Sequence, residues 1–265
     1  MFRDITIGLY FPGNTIIHRL DPRIKIIIIM MFITSLFFIT SFPPYILILA
    51  FILFVIYLSK VPLKHVLKGL KPLILIIVVT FLINAFLTKG EELFSIGPLT
   101  VTKEGLRQAV FMALRLIFLI TGTSLLTLTT SPISLTDGIE KLLSPFKRIG
   151  VPAHELAMMM TIALRFIPTL LEETDKIMKA QMARGADFES GNILNRAKNL
   201  VPLLVPLFIN AFRRADELAI AMEARCYRGG ENRTRLNELK LDRKDILAIS
   251  LSTLYFGFII STRYI

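Results

Sequence analysis

Cysteine is nearly absent from this 265-residue sequence, and the single Cys226 excludes an internal disulfide framework and any cysteine-built zinc site. Tryptophan is missing, and the three histidines, His18, His65 and His154, include no two at metal-ligand spacing. His154-Glu155 has no second histidine four residues on, so it is not a zinc-protease helix. No Gly-x-x-x-x-Gly-Lys loop occurs, which excludes ATP binding through a P-loop. Asp175 and Asp216 stand singly on separate segments, not clustered as a magnesium-dependent lipid transferase would need. No catalytic residue, metal ligand or cofactor site is therefore assigned. Met1 to Leu20 carries Arg3, Asp4, His18 and Arg19 and no long apolar run, so no cleavable signal peptide is expected.

What is abundant is apolar. Hydrophobic residues make up 54% of the chain, with 20 phenylalanines, a composition that belongs to membrane proteins. Four apolar runs, about Ile24 to Ser41, Tyr45 to Ser59, Pro72 to Leu87 and Ala109 to Thr130, precede a long mixed region, and a fifth, about Ile246 to Thr262, closes the chain. The expectation is an all-α integral membrane protein of about five transmembrane helices, with a domain of amphipathic helices inserted before the last. Its parts are residues 1–130, 131–243 and 244–265.

Basic residues set the expected orientation. Of the 31 lysines and arginines, 26 fall on the side of the N-terminus, the loop Lys60 to Lys71 and residues 131–244. Four, Lys89, Lys103, Arg107 and Arg263, fall on the other, with Arg115 inside a span. The N-terminus and the inserted domain are thus expected in the cytoplasm and the C-terminus outside. The net charge of +11 is explained by topology and by anionic lipid, which argues against a nucleic-acid partner.

Residues 131–243 are unusual in being cytoplasmic on this reading yet rich in apolar side chains. Ala153 to Leu171 is interrupted by Glu155, Arg165 and Pro168, and Leu200 to Ile209 is too short to cross, so both fit helices at the membrane surface. Asn84 and Arg115 are the polar outliers within spans; Arg115 is read as snorkelling outward or pairing with another subunit. The run GTSLLTLTTS after it permits close helix packing. Six of the ten methionines lie in the inserted region, either as filler or as a surface that repacks against partners. The sequon Asn232-Arg233-Thr234 is assigned no role.

Within residues 163–230 the chain carries two versions of one helix, ALRFIPTLLEETDKIMKAQMARG and PLFINAFRRADELAIAMEARC. Asp175, Ala180, Ala183 and Arg184 match Asp216, Ala221, Ala224 and Arg225 at a constant offset of 41. Phe208, Ala211, Ala215, Leu218 and Met222 predict one apolar face in the second copy, and Ile167, Leu171, Thr174, Met178 and Met182 a looser one in the first. Arg213, Arg214, Glu172 and Glu173 are among the charges placed off those faces. Both copies are expected to stop soon after the arginine, at Gly185 and at Gly229 with Gly230, where glycine adopts a left-handed cap. One arginine near a helix C-terminus reads as a dipole partner. Two in the same small-residue frame read as a paired contact.

On these residues the chain resembles a known family, EcfT, the transmembrane coupling component of energy-coupling factor (ECF) transporters, related to the CbiQ-type proteins of cobalt and nickel uptake. The resemblance rests on Tyr10-Phe-Pro-Gly-Asn-Thr-Ile-Ile-His-Arg-Leu-Asp-Pro-Arg-Ile-Lys25, on Ala163-Leu-Arg-Phe-Ile-Pro168, and on Ala183-Arg184-Gly185 followed by Ala224-Arg225-Cys226. It implies a non-catalytic scaffold in a bacterial or archaeal cell membrane. Each arginine helix would dock in one of two ABC-type ATPase subunits, which themselves bind ATP and magnesium. A membrane-embedded substrate-binding subunit would capture a vitamin or metal ion. Where the family's second motif often has another small residue, this chain has Cys226. The alternative is an integral membrane transferase acting on lipid-linked substrates.

Overall fold

The computed structural model describes residues 10–96, 99–186, 188, 193–229 and 239–263. Arg3, Asp4, Gly230 and the Asn232–Thr234 sequon lie outside the described residues. Described residues up to Gly138, together with those from Leu239 on, form one compact unit, and those from Ile139 to Gly229 form another.

The first unit begins with the short helix α1 (Ile16–Arg19) and α2 (Pro22–Phe38), whose N-cap Asp21 accepts from Arg23 N with Pro22 in the first turn. Two prolines start α3 (Pro43–Ser59), and Lys60, in the left-handed region at φ 53°, ends it. Next come α4 (Leu63–Leu70), a 3₁₀ turn (Lys71–Leu73) and α5 (Ile74–Leu87). A two-stranded antiparallel hairpin, β1 (Glu92–Ile96) and β2 (Leu99–Thr102), leads into α6 (Lys103–Thr129). The helix α7 (Pro132–Leu143) runs from this unit into the next. The last helix, α10 (Arg243–Ser261), returns to the first unit behind a capping box of Asp242 and Asp245.

All five apolar runs are helical, and the all-α membrane architecture stands with the small hairpin as an addition. Helix α6 is central, touching α2, α3, α4 and α5. Phe32, Leu36, Ile48, Leu128, Phe256 and Ile259 are fully buried, and the rings of Phe32, Phe51 and Phe256 meet at 4.9–6.0 Å between centroids. The hydroxyl-rich run does allow close approach: a Cβ on Gly122 would lie 2.3 Å from the Phe32 ring, and one on Gly69 2.7 Å from Ser124 Oγ. Asn84 is satisfied within its own helix, donating to Thr80 O at 2.8 Å.

The stretch Lys60 to Lys71, read from sequence as a loop, is instead mostly the helix α4. Only Pro72, which lacks an N–H and crowds the preceding turn, breaks its continuity with α5 into a 3₁₀ turn.

The second unit holds the end of α7, a 3₁₀ helix (Ser144–Ile149), α8 (Ala153–Ala183) and α9 (Ile193–Ala224). Both long helices begin well before the repeated sequence and run through their prolines, Pro168 in α8 and Pro202 and Pro206 in α9. Among the described residues four helical segments suffice by length and composition to cross a membrane, Leu63–Leu87, Lys103–Thr129, Ala153–Ala183 and Arg243–Ser261, with Pro43–Ser59 a shorter apolar one. Helix α8 is thus apolar enough to be counted with the spans, despite Glu155 and Arg165.

Candidate functional site

Both arginine motifs close a helix in the same way. Arg184 N donates to Gln181 O at 3.0 Å, Gly185 N to Met182 O at 3.0 Å and Ala186 N to Gln181 O at 3.0 Å. At the second, Arg225 N donates to Met222 O at 3.1 Å, Cys226 N to Glu223 O at 2.9 Å and Tyr227 N to Met222 O at 3.0 Å. Each set is a Schellman cap, with the arginine as the last turn's flanking residue and the next residue left-handed. Gly185 fills that position at φ +89° and Cys226 at φ 56°. The cap expected at Gly229 therefore falls three residues earlier. Gly229, at φ 85°, makes a separate turn, and a residue with a Cβ takes the conformation that glycine takes in the first copy.

Ala183, Arg184, Gly185, Ala224, Arg225 and Cys226 are all exposed. Among the described residues neither guanidinium meets a carboxylate, so ten N–H donors face outward at two matching helix ends.

The helices carrying them are antiparallel neighbours. Gln181 Nε2 donates to Pro202 O at 3.3 Å near one end, Arg214 pairs with Glu173 midway, and Tyr227 reaches Met158 at the other. Glu173 and Arg214 are themselves 41 residues apart, so they hold the same position in the two copies. The repeat has folded onto itself about a local two-fold axis through that ion pair. Each motif arginine lies 11 residues beyond its member of the pair, placing the two about 33 Å apart along the helices, at opposite ends.

The faces in contact differ from the predicted stripes. On α9 the partly or fully buried positions include Leu203, Leu207, Ala211, Arg214, Leu218 and Met222, whereas Phe208 and Ala215 are exposed. On α8 Leu171, Thr174 and Met178 do face inward, but Ile167 and Met182 do not. The helix face is rotated because Arg214 and Glu173, set aside as surface charges, are turned to each other. The 41-residue match of an acid with a base was the available sign.

Behind the second cap, Tyr227 donates to Met158 Sδ at 2.9 Å and lies 3.4 Å from His154 Nε2, while His154 Nδ1 meets Glu140 Oε1 at 3.1 Å. Arg225 thus sits two residues from an anchor on α7 and α8.

In the first unit the segment Tyr10 to Lys25 forms a clasp. Phe11 N donates to Leu128 O at 2.9 Å, and His18 bridges Thr15 Oγ1 at 2.7 Å and Phe11 O at 3.0 Å. Since the Phe11 carbonyl can only accept, Nε2 carries the proton and Nδ1 accepts from Thr15. Burial pulls the His18 pKa below its ordinary value, and the nearby Lys25 ammonium adds to this against the Phe11 hydrogen bond. Gly13 is required here because a Cβ would come within 2.8 Å of the imidazole. Asp245, 3% exposed, accepts from Asp21 N at 2.8 Å and Asp242 N at 2.9 Å, and Arg23 grips the Asp21 carboxylate with Nε and Nη2. Sequence reasoning left Asp245 unassigned. Among the described residues no group of three His, Cys, Asp or Glu side chains is placed to hold a metal.

Known proteins match the chain over nearly its whole length. Residues 13–236 match the family model CbiQ, described as cobalt transport protein. The chain is similar to a protein of Thermosediminibacter oceani, with 65% identity over 260 residues and 98% of each chain covered. It is also similar to one of Clostridium kluyveri, with 64% identity and 94% and 93% of the two chains covered, and to one of Bacillus subtilis, with 52% identity and 94% of each covered. All three relatives are named energy-coupling factor transporter transmembrane protein EcfT.

Proposed function

The chain belongs to the CbiQ/EcfT family of transporter transmembrane components, and from that membership we propose that it couples two separate ATPase subunits to a membrane-embedded substrate-binding subunit. The chain is a non-catalytic transmembrane part of a multi-subunit bacterial transporter. The finer reading is that ATP is bound and hydrolysed by partners and that the cargo is a vitamin or metal ion.

The observation that carries it is the two-fold relation of the Arg184 and Arg225 caps about Glu173 and Arg214. Two like ATPase subunits working as a pair are related by a two-fold axis, and a single chain that serves both must offer one surface twice in that symmetry. A guanidinium at a helix end provides a rigid fork for carboxylates and carbonyls and ranks high among interface anchors. The geometry also supplies a way to move: when the two ATPase subunits approach or separate, the ends of α8 and α9 are driven relative to one another about the central ion pair.

In the membrane, the excess of lysine and arginine on one side supports placing the N-terminus and residues 131–243 in the cytoplasm and the C-terminus outside. On this reading α8, though apolar enough to cross, lies with α9 at the cytoplasmic surface.

The test is co-purification. The chain expressed with its two candidate ATPase subunits should retain both, and the Arg184→Glu, Arg225→Glu double variant should insert normally yet lose them. An intact complex with normal uptake in that variant overturns the reading.

A further inference from the structure

At the end of the span bundle away from Asp21 and Asp245, three arginines stand over phenylalanine rings. Arg107 lies 5.9 Å from the centroid of Phe42, Arg115 5.5 Å from Phe37 and 5.4 Å from Phe111, and Arg263 5.8 Å from Phe38. Among the described residues none of the three meets a carboxylate. Arg107, Phe111 and Arg115 follow at intervals of four on α6, so they share one helix face, and Phe42 meets Phe111 edge-on at 5.5 Å. The result is a ladder in which cation and ring alternate.

Arg115 starts inside the apolar run, but helical side chains lean toward the helix N-terminus. Its guanidinium accordingly rises a turn, onto the ring of Phe111. There Nη2 donates to Ile39 O at 3.2 Å, at the C-cap of α2, and Nη1 lies 4.0 Å from Met112 Sδ, while among the described residues Nε meets no acceptor. The hydroxyl of Tyr45, a residue only 4% exposed, is buried beside this guanidinium. A charge with a single carbonyl acceptor, standing beside a second and exposed cation on the same helix face and with no carboxylate among the described residues, is poorly neutralised by protein alone. Exposed Phe37, Phe38, Phe42 and Ile46 surround them with apolar surface.

We propose that Arg107 and Arg115, flanked by Arg263, hold the phosphodiester and headgroup of one anionic phospholipid at this end of the bundle, its acyl chains lying on Phe37, Phe42 and Ile46. A phosphodiester offers two acceptor oxygens to an arginine fork. Arg107 and Arg115 stand about 12 Å apart along the axis, so one fork takes the phosphodiester and the other the headgroup oxygens of the same lipid. A lipid is favoured over a partner's carboxylate because the cations are several, lie on different helices, and sit against exposed apolar surface. The site does not depend on which face of the membrane this end occupies.

The experiment places the full-length protein in bilayer discs of phosphatidylglycerol and phosphatidylcholine in equal parts, releases it into mild detergent and counts retained lipids by native mass spectrometry. Phosphatidylglycerol should be retained preferentially, and Arg107→Gln should reduce that preference about fivefold. Arg107 is exposed and its loss leaves the core intact. Arg115→Lys, which keeps the charge and removes the fork, should reduce it as well, whereas Lys89→Gln, an exposed cation outside the ladder, should not. Equal retention of the two lipids overturns the proposal. So does an equal loss in all three variants, which marks diffuse attraction. Competition by soluble glycerol phosphate at the same concentration as lipid makes the site one for a free anion and overturns it too. Finally, if Arg107→Gln leaves lipid retention unchanged but strips a membrane partner from the assembled complex, the ladder is a protein contact.

Discussion

Glu173 and Arg214, the same position in two copies of one repeat, are paired with each other across α8 and α9. One Glu173 oxygen takes the Arg214 guanidinium, and among the described residues the other, buried, meets no donor. Arg214→Ala should therefore leave a half-buried carboxylate uncompensated and destabilise the pair of helices by about 1–2 kcal/mol. The exchanged double variant Glu173→Arg, Arg214→Glu should recover part of that loss. Thermal unfolding of the purified protein measures both, and a double variant no better than Arg214→Ala alone would argue against a direct pair.

Arg184→Lys and Arg225→Lys should each weaken retention of one ATPase subunit, because the charge stays while the fork is lost. Arg→Ala at either position removes about 2 kcal/mol and weakens that docking about 30-fold. Binding of separately purified ATPase subunits to each single variant distinguishes the two ends.

Cys226 carries the cost of a left-handed residue that Gly185 avoids. Cys226→Gly should raise stability by about 1 kcal/mol, and Gly185→Ala should lower it by a similar amount. Both are read as shifts in unfolding temperature. Equal, negligible effects would mean that the caps tolerate a Cβ freely.

Gly122→Leu should disrupt the bundle, since even a Cβ there would approach the Phe32 ring to 2.3 Å. A loss of about 1–3 kcal/mol is expected from overpacking. Gly257, whose Cβ would meet nothing within 4 Å, should accept alanine with little effect.

His18 is neutral in the folded clasp, with its pKa held below the ordinary value of 6.5. An unfolded chain takes up a proton there sooner than the folded one, so stability is complete above about pH 6.5 and falls as the pH drops toward the folded pKa. A His18→Asn variant should lack this component of the acid-side slope. Unfolding temperature against pH for the two proteins measures it.

Much of this architecture was legible in one sequence. Runs of branched and aromatic residues too apolar for a soluble core announced the helices, and a repeat at constant offset announced the paired arginines. What escaped had definite causes. Lys64, His65 and Lys68 made α4 look like a loop, although a polar helix face at a membrane boundary carries such residues. The second cap was assigned to Gly229 because propensity favours glycine, yet tertiary contacts of Tyr227 fix the cap one residue before it, at Cys226. The inward turn of Arg214 could not be read from its type. It follows from the chain folding the repeat back on itself, which no periodicity within either copy reveals.

Arg23 has a consequence beyond its ion pair with Asp21. The backbone of Gly138, where the first unit is left, abuts Pro22 and Arg23, and a Cβ there would lie 3.3 Å from Arg23 N. The carbonyl of Leu239, where the unit is rejoined, accepts from Arg23 Nη2 at 3.3 Å. Departure and return are thus pinned at one residue, and the intervening segment is in topological terms a domain insertion, whose loop-closure entropy is settled by the bundle.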